Sequence, residues 1–469
     1  VTRRLIIIGG GIAGLSAAYR AHELLGASAD TWEVLLLEAS PQVGGKLRTT
    51  HHEGHALEHG PNAFLDPAPA LKDLVERSKL PILTAAHAAK RRFLVRDRKL
   101  YELKPDPAHF LRSGLLPLTA SLRLAREPFI GRRRSTHNNH PGEGWGDESV
   151  HAFFARRFGP KAADLFAAPL ASGVFAGDPK QLSLPAAFPQ LAAMEEEHGS
   201  LIKALSQLKK RKDAGHPMPT LHAPAAGMQA LAEALAENAP FTIRTDAPVD
   251  ALALNGSHWD ISVSGLSPLA ADALILATPA TAAANLLQPH LPAAAATLKR
   301  IPYPHLIVLH LLYAPDQANR FPQAFGALHA HDGTSNLLGT LHESHIFPTR
   351  SSSGALLLRV LLGGTTRPDL ATLPDPDLLH TAITELAQLH NLSAPPIHTN
   401  ITHHPASIPQ YHLGHARLIA DLTAQQRAIP TPPLALCGNY LTGVSLSDTA
   451  ASGHQAADSL IPHMPSQAP

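Results

Sequence analysis

The sequence predicts an α/β protein whose main sheet is assembled from the start, the middle and the end of the chain. Three observations carry that expectation. An isoleucine-rich run, Leu5 to Ile8, leads into glycines 9, 11 and 14 and then into a helical apolar rhythm from Ala13 to Leu25. A second buried run, Val34 to Leu37, ends in Glu38. Two further apolar runs, Ala273 to Ala277 and Leu434 to Cys437, stop at turns far down the chain, as strands returning to one parallel sheet would.

The spacing Gly9-x-Gly11-x-x-Gly14, after a strand and opening a helix, points to a dinucleotide. Gly9 permits the tight turn. Gly11 lets a pyrophosphate approach the backbone, and Gly14 lets the helix pack on the strand. The helix start adds unpaired N–H groups and partial positive charge. Glu38, roughly 20 residues on, can accept both hydroxyls of an adenosine ribose and disfavours a 2′-phosphate, so FAD or NAD is expected rather than NADP. A purely structural glycine turn is the bland alternative, and the flanking strand, helix and acid weigh against it. Gly44-Gly45, with Lys46 and Arg48 behind, can wrap a second loop around a phosphate. Gly60-Pro61 breaks the chain where it would return to the cofactor, and Asp66 to Ser78 reads as a helix.

From Pro81 the character changes. Arg91 to Val95 and Lys99 to Leu103 read as two strands around a polar turn. The leucine-rich stretch from Phe110 to Leu124 lacks a clean amphipathic period. It suits a membrane or apolar ligand, or equally an ordinary helical subdomain with its own core. Arg132-Arg133-Arg134 opens a polar loop to Asp147, able to touch lipid headgroups or simply solvated. Val150 to Phe158 is helical. Ala168 to Pro179 reads as a small-residue turn between helices, either approaching something flat or packing tightly. Strands at 241–249, 251–254, 259–263 and 273–277 follow. Residues 300–420 hold strands at Leu306–Leu312, Leu337–Leu341 and Ala355–Leu362 with one helix, Asp375 to Leu389, and so form a second domain on a mixed sheet. The Gly443 turn after the last strand provides a second helix N-terminus able to face a flavin ring. A nucleotide domain split in this way favours FAD, because NAD dehydrogenases usually keep theirs in one block.

The bulk numbers agree. At 469 residues two or three domains are expected. Basic and acidic residues nearly balance, 39 against 38, so no global field favours nucleic acid or an anionic membrane. The single cysteine, Cys437, excludes an internal disulfide and suits a reducing compartment. The glycine motif lies within ten residues of the start, which leaves no room for a signal peptide. No apolar run has transmembrane length. The 30 histidines scatter beside turn residues and are expected to be solvated. His342 and His345 lack the spacing of a zinc helix, so no metal is expected. No catalytic triad is recognisable, so no catalytic side chain is assigned.

These residues together resemble the flavin-dependent protoporphyrinogen oxidases of the wider FAD-linked amine oxidase superfamily. The superfamily marks are the glycine loop, Glu38, Gly44 to Thr49 and the Ala277-Thr278-Pro279 strand end. The narrower marks are Glu58-x-Gly60-Pro61-Asn62, Ser172 to Ser183, and Gly438-Asn439-Tyr440-x-x-Gly443-Val444 with Asp448 and Ser452-Gly453. The resemblance spans nearly the whole chain. It departs from the family at Thr449, where a cysteine is frequent, and in the long arginine-rich loop.

The resemblance implies a discontinuous Rossmann-like FAD-binding domain (1–80, 206–299 and 430–469), a helical membrane-associating subdomain beside the substrate cleft (81–205), and a mixed-sheet substrate domain (300–429). It implies oxidation of protoporphyrinogen by loss of six hydrogens in three hydride transfers to flavin N5, with oxygen as acceptor. It assigns FAD contacts to Gly9, Gly11, Ile12, Ala13, Gly14, Glu38, Ala39, Gly45, Lys46 and Leu47. Gly60, Pro61, Asn62, Ala63, Val249 (main chain), Ala277, Gly438, Gly443, Val444, Ser445 and Leu446 complete that set. It assigns the substrate to Arg92, Gly173, Phe175 and Ala176, with Arg92 or its neighbour Arg91 pairing a propionate. The partners it allows are a porphyrinogen, oxygen, a peripheral membrane contact, a downstream chelatase and a homodimer mate, at a cytoplasmic address on the inner face of the membrane. Coproporphyrinogen oxidation by the same fold is the nearest rival, and more cations lining the pocket would favour it. An amine or carotenoid oxidoreductase and a non-enzymatic FAD scaffold are the others.

Overall fold

A computed structural model describes residues 3–26, 32–104, 114–131, 147–213, 219–351, 354–427 and 431–464. The expectations placed on Phe110, Leu111 and the Arg132-Arg133-Arg134 loop lie outside the described residues.

The five-stranded sheet runs Thr242–Arg244, Trp32–Leu37, Arg3–Ile8, Ala273–Leu276, Leu434–Leu436, with every pair parallel. Both of its faces are covered, which explains why its strands are continuous apolar runs rather than alternating ones. Leu5, Ile7, Val34, Leu36 and Ile275 point into the core under helices Ile12–Leu25 and Leu446–Leu460. Ile6, Ile8, Leu35, Leu37 and Leu276 point the other way, towards helices Ala280–Leu287 and Pro292–Lys299 and a three-stranded antiparallel layer spanning 249–271. Helices Ile12–Leu25 and Leu446–Leu460 meet through Gly453, where a Cβ would lie 2.2 Å from the Ala13 carbonyl oxygen.

A seven-stranded sheet forms the second body. Its order is His398–His404, Leu306–Tyr313, Leu356–Gly363, Leu337–His342, Gly326–His329, Arg92–Arg96, Lys99–Glu102. All its pairings are antiparallel except Gly326–His329 with Arg92–Arg96. The two strands near residue 100, grouped by sequence order with helices, thus join strands more than 200 residues away. Helices between Leu118 and Asp213 pack around a third core of Val150, Phe153, Phe158, Leu165 and Phe175.

Two expectations are corrected. The segment 168–179 is not a turn from its start: helix Pro160–Phe175 runs through Pro169, and the chain turns only at Ala176, whose φ is +49°. Small residues let this helix lie close on the second sheet, and at Gly173 a Cβ would be 2.9 Å from Leu328 Cδ2. The histidines are not mainly a solvated set either. His55, His59, His310, His329, His342, His345, His390 and His415 are all buried. Several lie in strands or at strand ends, where the sheet rather than the neighbouring turn residues sets exposure.

Burial pulls the imidazoles of His310, His329 and His342 from 6.5 down to about 3, and those of His390 and His415 to about 4. Such histidines fold neutral, so the unfolded chain takes up the proton first. Their contribution is complete above pH 6.5 and is lost as pH falls towards the folded values. Burial pushes Glu58 up to about 7 and raises Glu343 as well, and these two groups work in the opposite direction over part of the range. With five histidines against two carboxyls, the melting temperature is expected to drop steeply between pH 6.5 and pH 4. A thermal scan that stayed flat to pH 4.5 would contradict this.

Candidate functional site

The glycine loop and the second phosphate loop face each other. Gly44 N donates to Gly10 O at 2.8 Å, and Gly11 and Gly44 form an isolated bridge. Gly44 and Gly45 take φ of +114° and +58°, a left-handed region that glycine occupies without strain. A Cβ on Gly11 would meet nothing but Gly45 Cα, at 3.9 Å, so the gap between the two loops is open. Gly11 caps helix Ile12–Leu25 without a side-chain bond, leaving the N–H groups of Ile12 and Ala13 at that gap. Glu38 is buried. Its Oε2 accepts from Gly10 N at 2.7 Å and its Oε1 from Ser40 N at 2.9 Å, which holds the carboxylate in place with lone pairs to spare. Val249 follows Asp246 and Ala247, whose amides bond Ser40 O and Glu38 O, so that strand starts beside the acid. Ala39 is exposed there, and Ala277 closes the strand end against Gly9, with its amide on Ile8 O. Buried Thr278 Oγ1 has no partner among the described residues. The cradle, the open helix start and the oriented carboxylate fit a dinucleotide.

Next to it lies a cleft of about 480 Å³ between the two sheets. Lys46, Gly60, Pro61, Asn62, Asn439 and Val444 line one side. A Cβ on Gly60 would lie 1.8 Å from the Lys46 carbonyl oxygen, so the two loops stack directly. Arg92, Phe325, Leu328, Leu341, Arg359 and Leu361 form the opposite, mostly apolar side, and Ser172, Gly173 and Val174 close the top from helix Pro160–Phe175.

The basic side chains in the cleft differ in their partners. Lys46 Nζ donates to Ala406 O at 2.6 Å. His59 lies between the Thr50 and Thr402 hydroxyls, and His404 bonds the His59 carbonyl. Arg91 faces away, tied to Glu102 at 2.8 Å and to Gln323 O. Arg92 lines the cleft, with its guanidinium 5.1 Å from the Phe325 ring centre, and desolvation by the cleft walls pulls its pKa below the ordinary value. Behind the floor, Arg350 pairs Glu58 at 3.0 Å and Asn62 donates to Glu343 at 3.0 Å.

Not every assigned residue reaches the site. Phe175 is buried against Phe188 and Tyr411, and Ala176 packs beneath Leu306 and Val308. Neither lines the cleft; Ser172, Gly173 and Val174 of the same helix do. Leu47 and Ala63 point into the nucleotide core, so only their main chain can serve a ligand. Ser445 and Asp448 form a capping box that satisfies part of the helix start at Leu446. Gly443 N donates to the Tyr411 hydroxyl, and Gly438 N to Ser452 Oγ. Arg359, Phe325 and His404 were missed. The available signal for Arg359 was a lone cation inside the apolar run Leu356 to Leu362. Among the described residues no three His, Cys, Asp or Glu side chains are grouped to hold a metal, and no helix is long and apolar enough to cross a membrane.

A dinucleotide cradle opening on an apolar cleft between two sheets is the frame of an FAD-dependent oxidoreductase, and the comparisons agree. Residues 12–461 match the family described as flavin containing amine oxidoreductase, and the chain belongs to that family. It is 27% identical to the coproporphyrinogen III oxidase of Bacillus subtilis, over 98% of each chain. It is 31% identical to the protoporphyrinogen oxidase of Bos taurus, over 97% of this chain and 98% of that one. A crystal structure from Exiguobacterium sp., named provisionally as a protoporphyrinogen oxidase, superposes with a TM-score of 0.82 at 23% identity, covering 98% of this chain and 99% of that one. That last likeness speaks for the fold.

Proposed function

We propose that this chain oxidises a porphyrinogen to the porphyrin, removing six hydrogens in three two-electron cycles with oxygen as the final acceptor. The observation that carries the reading is an apolar cleft beside the cofactor cradle with a guanidinium on its wall, Arg92, that forms no ion pair among the described residues. A porphyrinogen is a cup-shaped tetrapyrrole with apolar faces and anionic carboxylates, and such a cleft suits it. FAD, when bound, supplies the hydride acceptor. The chain's own part is to hold the ring between Val174 and the leucines of the sheet, keep water out, and anchor a carboxylate at Arg92. Aromatisation makes the reaction downhill, so no strong base is required. Amine oxidation fits less well: it usually needs an aromatic pair facing the flavin, and Tyr440 is fully buried in the nucleotide core.

Anaerobic mixing with protoporphyrinogen and, separately, coproporphyrinogen tests the reading through bleaching of the flavin. If neither bleaches it, the reading fails. Arg92→Ala is expected to raise the apparent KM about 10- to 100-fold, as loss of a charge-assisted pair of about 1.5–3 kcal/mol would, while kcat changes little. An unchanged KM with FAD still bound would remove Arg92 from this role.

Two finer points are part of the proposal. The chain divides into the split nucleotide domain, the helical unit and the substrate sheet, with Arg92 to Glu102 assigned to the sheet. The helical unit touches a membrane, supported by Phe129 at 87% and Leu122 at 63% exposure on neighbouring elements. Cosedimentation with lipid vesicles is expected, and its absence would end that part.

A further inference from the structure

The floor of the cleft carries two cations in one row. Arg92 is in register with Gly326, Gly326 with Leu341, and Leu341 with Arg359. Residues in register across neighbouring strands point to the same face, and all four line the cleft. Three strand spacings separate the two arginines, about 14 Å between backbones. Between them lie only a glycine and a leucine, so the floor is flat and apolar. At Gly326 a Cβ would lie 1.9 Å from Thr340 O.

Arg359 is 7% exposed. Its Nε has no hydrogen-bond partner, and no ion pair is formed by it among the described residues. Neither nearby carboxylate hydrogen-bonds it: Glu58 accepts from Arg350, Thr49 and the Met228 amide, and Glu343 accepts from Asn62 and acts on Arg359 through its charge alone. A guanidinium stays charged when buried, so one at the wall of a binding cleft with no carboxylate hydrogen-bonded to it is free to take an anion. Burial there also lowers its pKa, against the pull of Glu343 and Glu58.

We propose that Arg359 takes a substrate carboxylate on the edge of the ring opposite the one held by Arg92, which makes the chain selective for porphyrinogens with carboxylates on opposed edges. This rests on the porphyrinogen reading and deepens it. Protoporphyrinogen carries its two carboxylates on adjacent rings at one edge, with vinyl groups opposite. Coproporphyrinogen carries four, one on each ring, and can satisfy both arginines at once.

The test compares wild type and Arg359→Met with both substrates, following KM, kcat, FAD content and the flavin reduction potential. Wild type is expected to have a KM for coproporphyrinogen at least about tenfold below that for protoporphyrinogen. Arg359→Met is expected to remove that difference by raising the coproporphyrinogen KM, leaving the protoporphyrinogen KM, FAD content and potential as they were. A shifted potential, or an equal loss with both substrates, would assign Arg359 to the cofactor side and overturn the proposal. Should the variant not fold, the wild-type KM ratio decides, and a ratio near one or in favour of protoporphyrinogen overturns it. Oxidation of neither substrate would sink the porphyrinogen reading itself, a result distinct from these.

Discussion

Gly14→Ala is expected to destabilise the fold strongly, whereas Gly11→Val is expected to leave the fold intact and strip it of FAD. The two glycines stand three residues apart in one loop, yet their surroundings differ. A Cβ at Gly14 would lie 1.9 Å from the Gly9 carbonyl oxygen and 3.2 Å from Ala277 Cβ. Both obstacles belong to the centre of the parallel sheet, where Ile8 pairs with Leu37 on one side and Leu276 on the other, so neither can yield. Overpacking in such a place costs about 1–3 kcal/mol or more. At Gly11 the backbone is ordinary, φ −72° and ψ 177°, and only Gly45 Cα is within 4 Å. A valine there is tolerated by the protein and fills the gap between the two phosphate loops. Circular dichroism and thermal melting report the fold, and flavin absorbance per chain reports the cofactor. Gly11→Val is expected to lower FAD affinity by at least about tenfold with a melting curve near that of wild type. Full flavin content in that variant would refute the cradle.

The second large effect is expected at Arg157. Its side chain is fully buried and pairs Glu127 at 3.0 Å, and it also contacts Glu195. Glu127 is itself fully buried and accepts from Leu201 N and Ile202 N at the start of helix Leu201–Asp213, and from the Ser200 hydroxyl. Arg157→Met removes the cation and leaves Glu127 with amides and a hydroxyl alone, while Glu195 keeps Arg156 at 3.0 Å. Breaking a buried pair typically costs about 3–5 kcal/mol, and the residual donors put this case near the lower end. Denaturant unfolding of the holoenzyme measures it. A loss under about 1 kcal/mol would mean the carboxylates were already satisfied without Arg157. Adding Glu127→Gln should recover part of the loss. The effect should extend to the cleft, because helix Pro160–Phe175 follows Arg157 closely and carries Ser172, Gly173 and Val174 to its roof.

The nucleotide sheet was readable because its signals are local. Leu5 to Ile8 and Ala273 to Leu276 are apolar on both faces, as buried parallel strands must be, and the glycine spacing records steric limits within one turn. The same signals misread Ala168 to Pro179. Glycine and proline ordinarily break helices, but here packing on Leu328 selects small residues and the helix continues to Phe175. Histidine exposure was misjudged for a similar reason: His310 sits in an all-buried strand, and its turn-like neighbours elsewhere in the chain say nothing about that.

By itself, then, the sequence determined the cofactor cradle, since strand, glycine turn, helix and acid are all written within about forty residues. It also marked Arg92 as a carboxylate anchor through a resemblance, without separating it from Arg91. The tertiary structure puts Arg92 on the cleft wall and ties Arg91 to Glu102. Only the tertiary structure aligned Arg92, Gly326, Leu341 and Arg359 in one row. Register between distant strands is set by which faces the whole sheet must bury, and a one-residue slip would turn Arg359 away from the cleft.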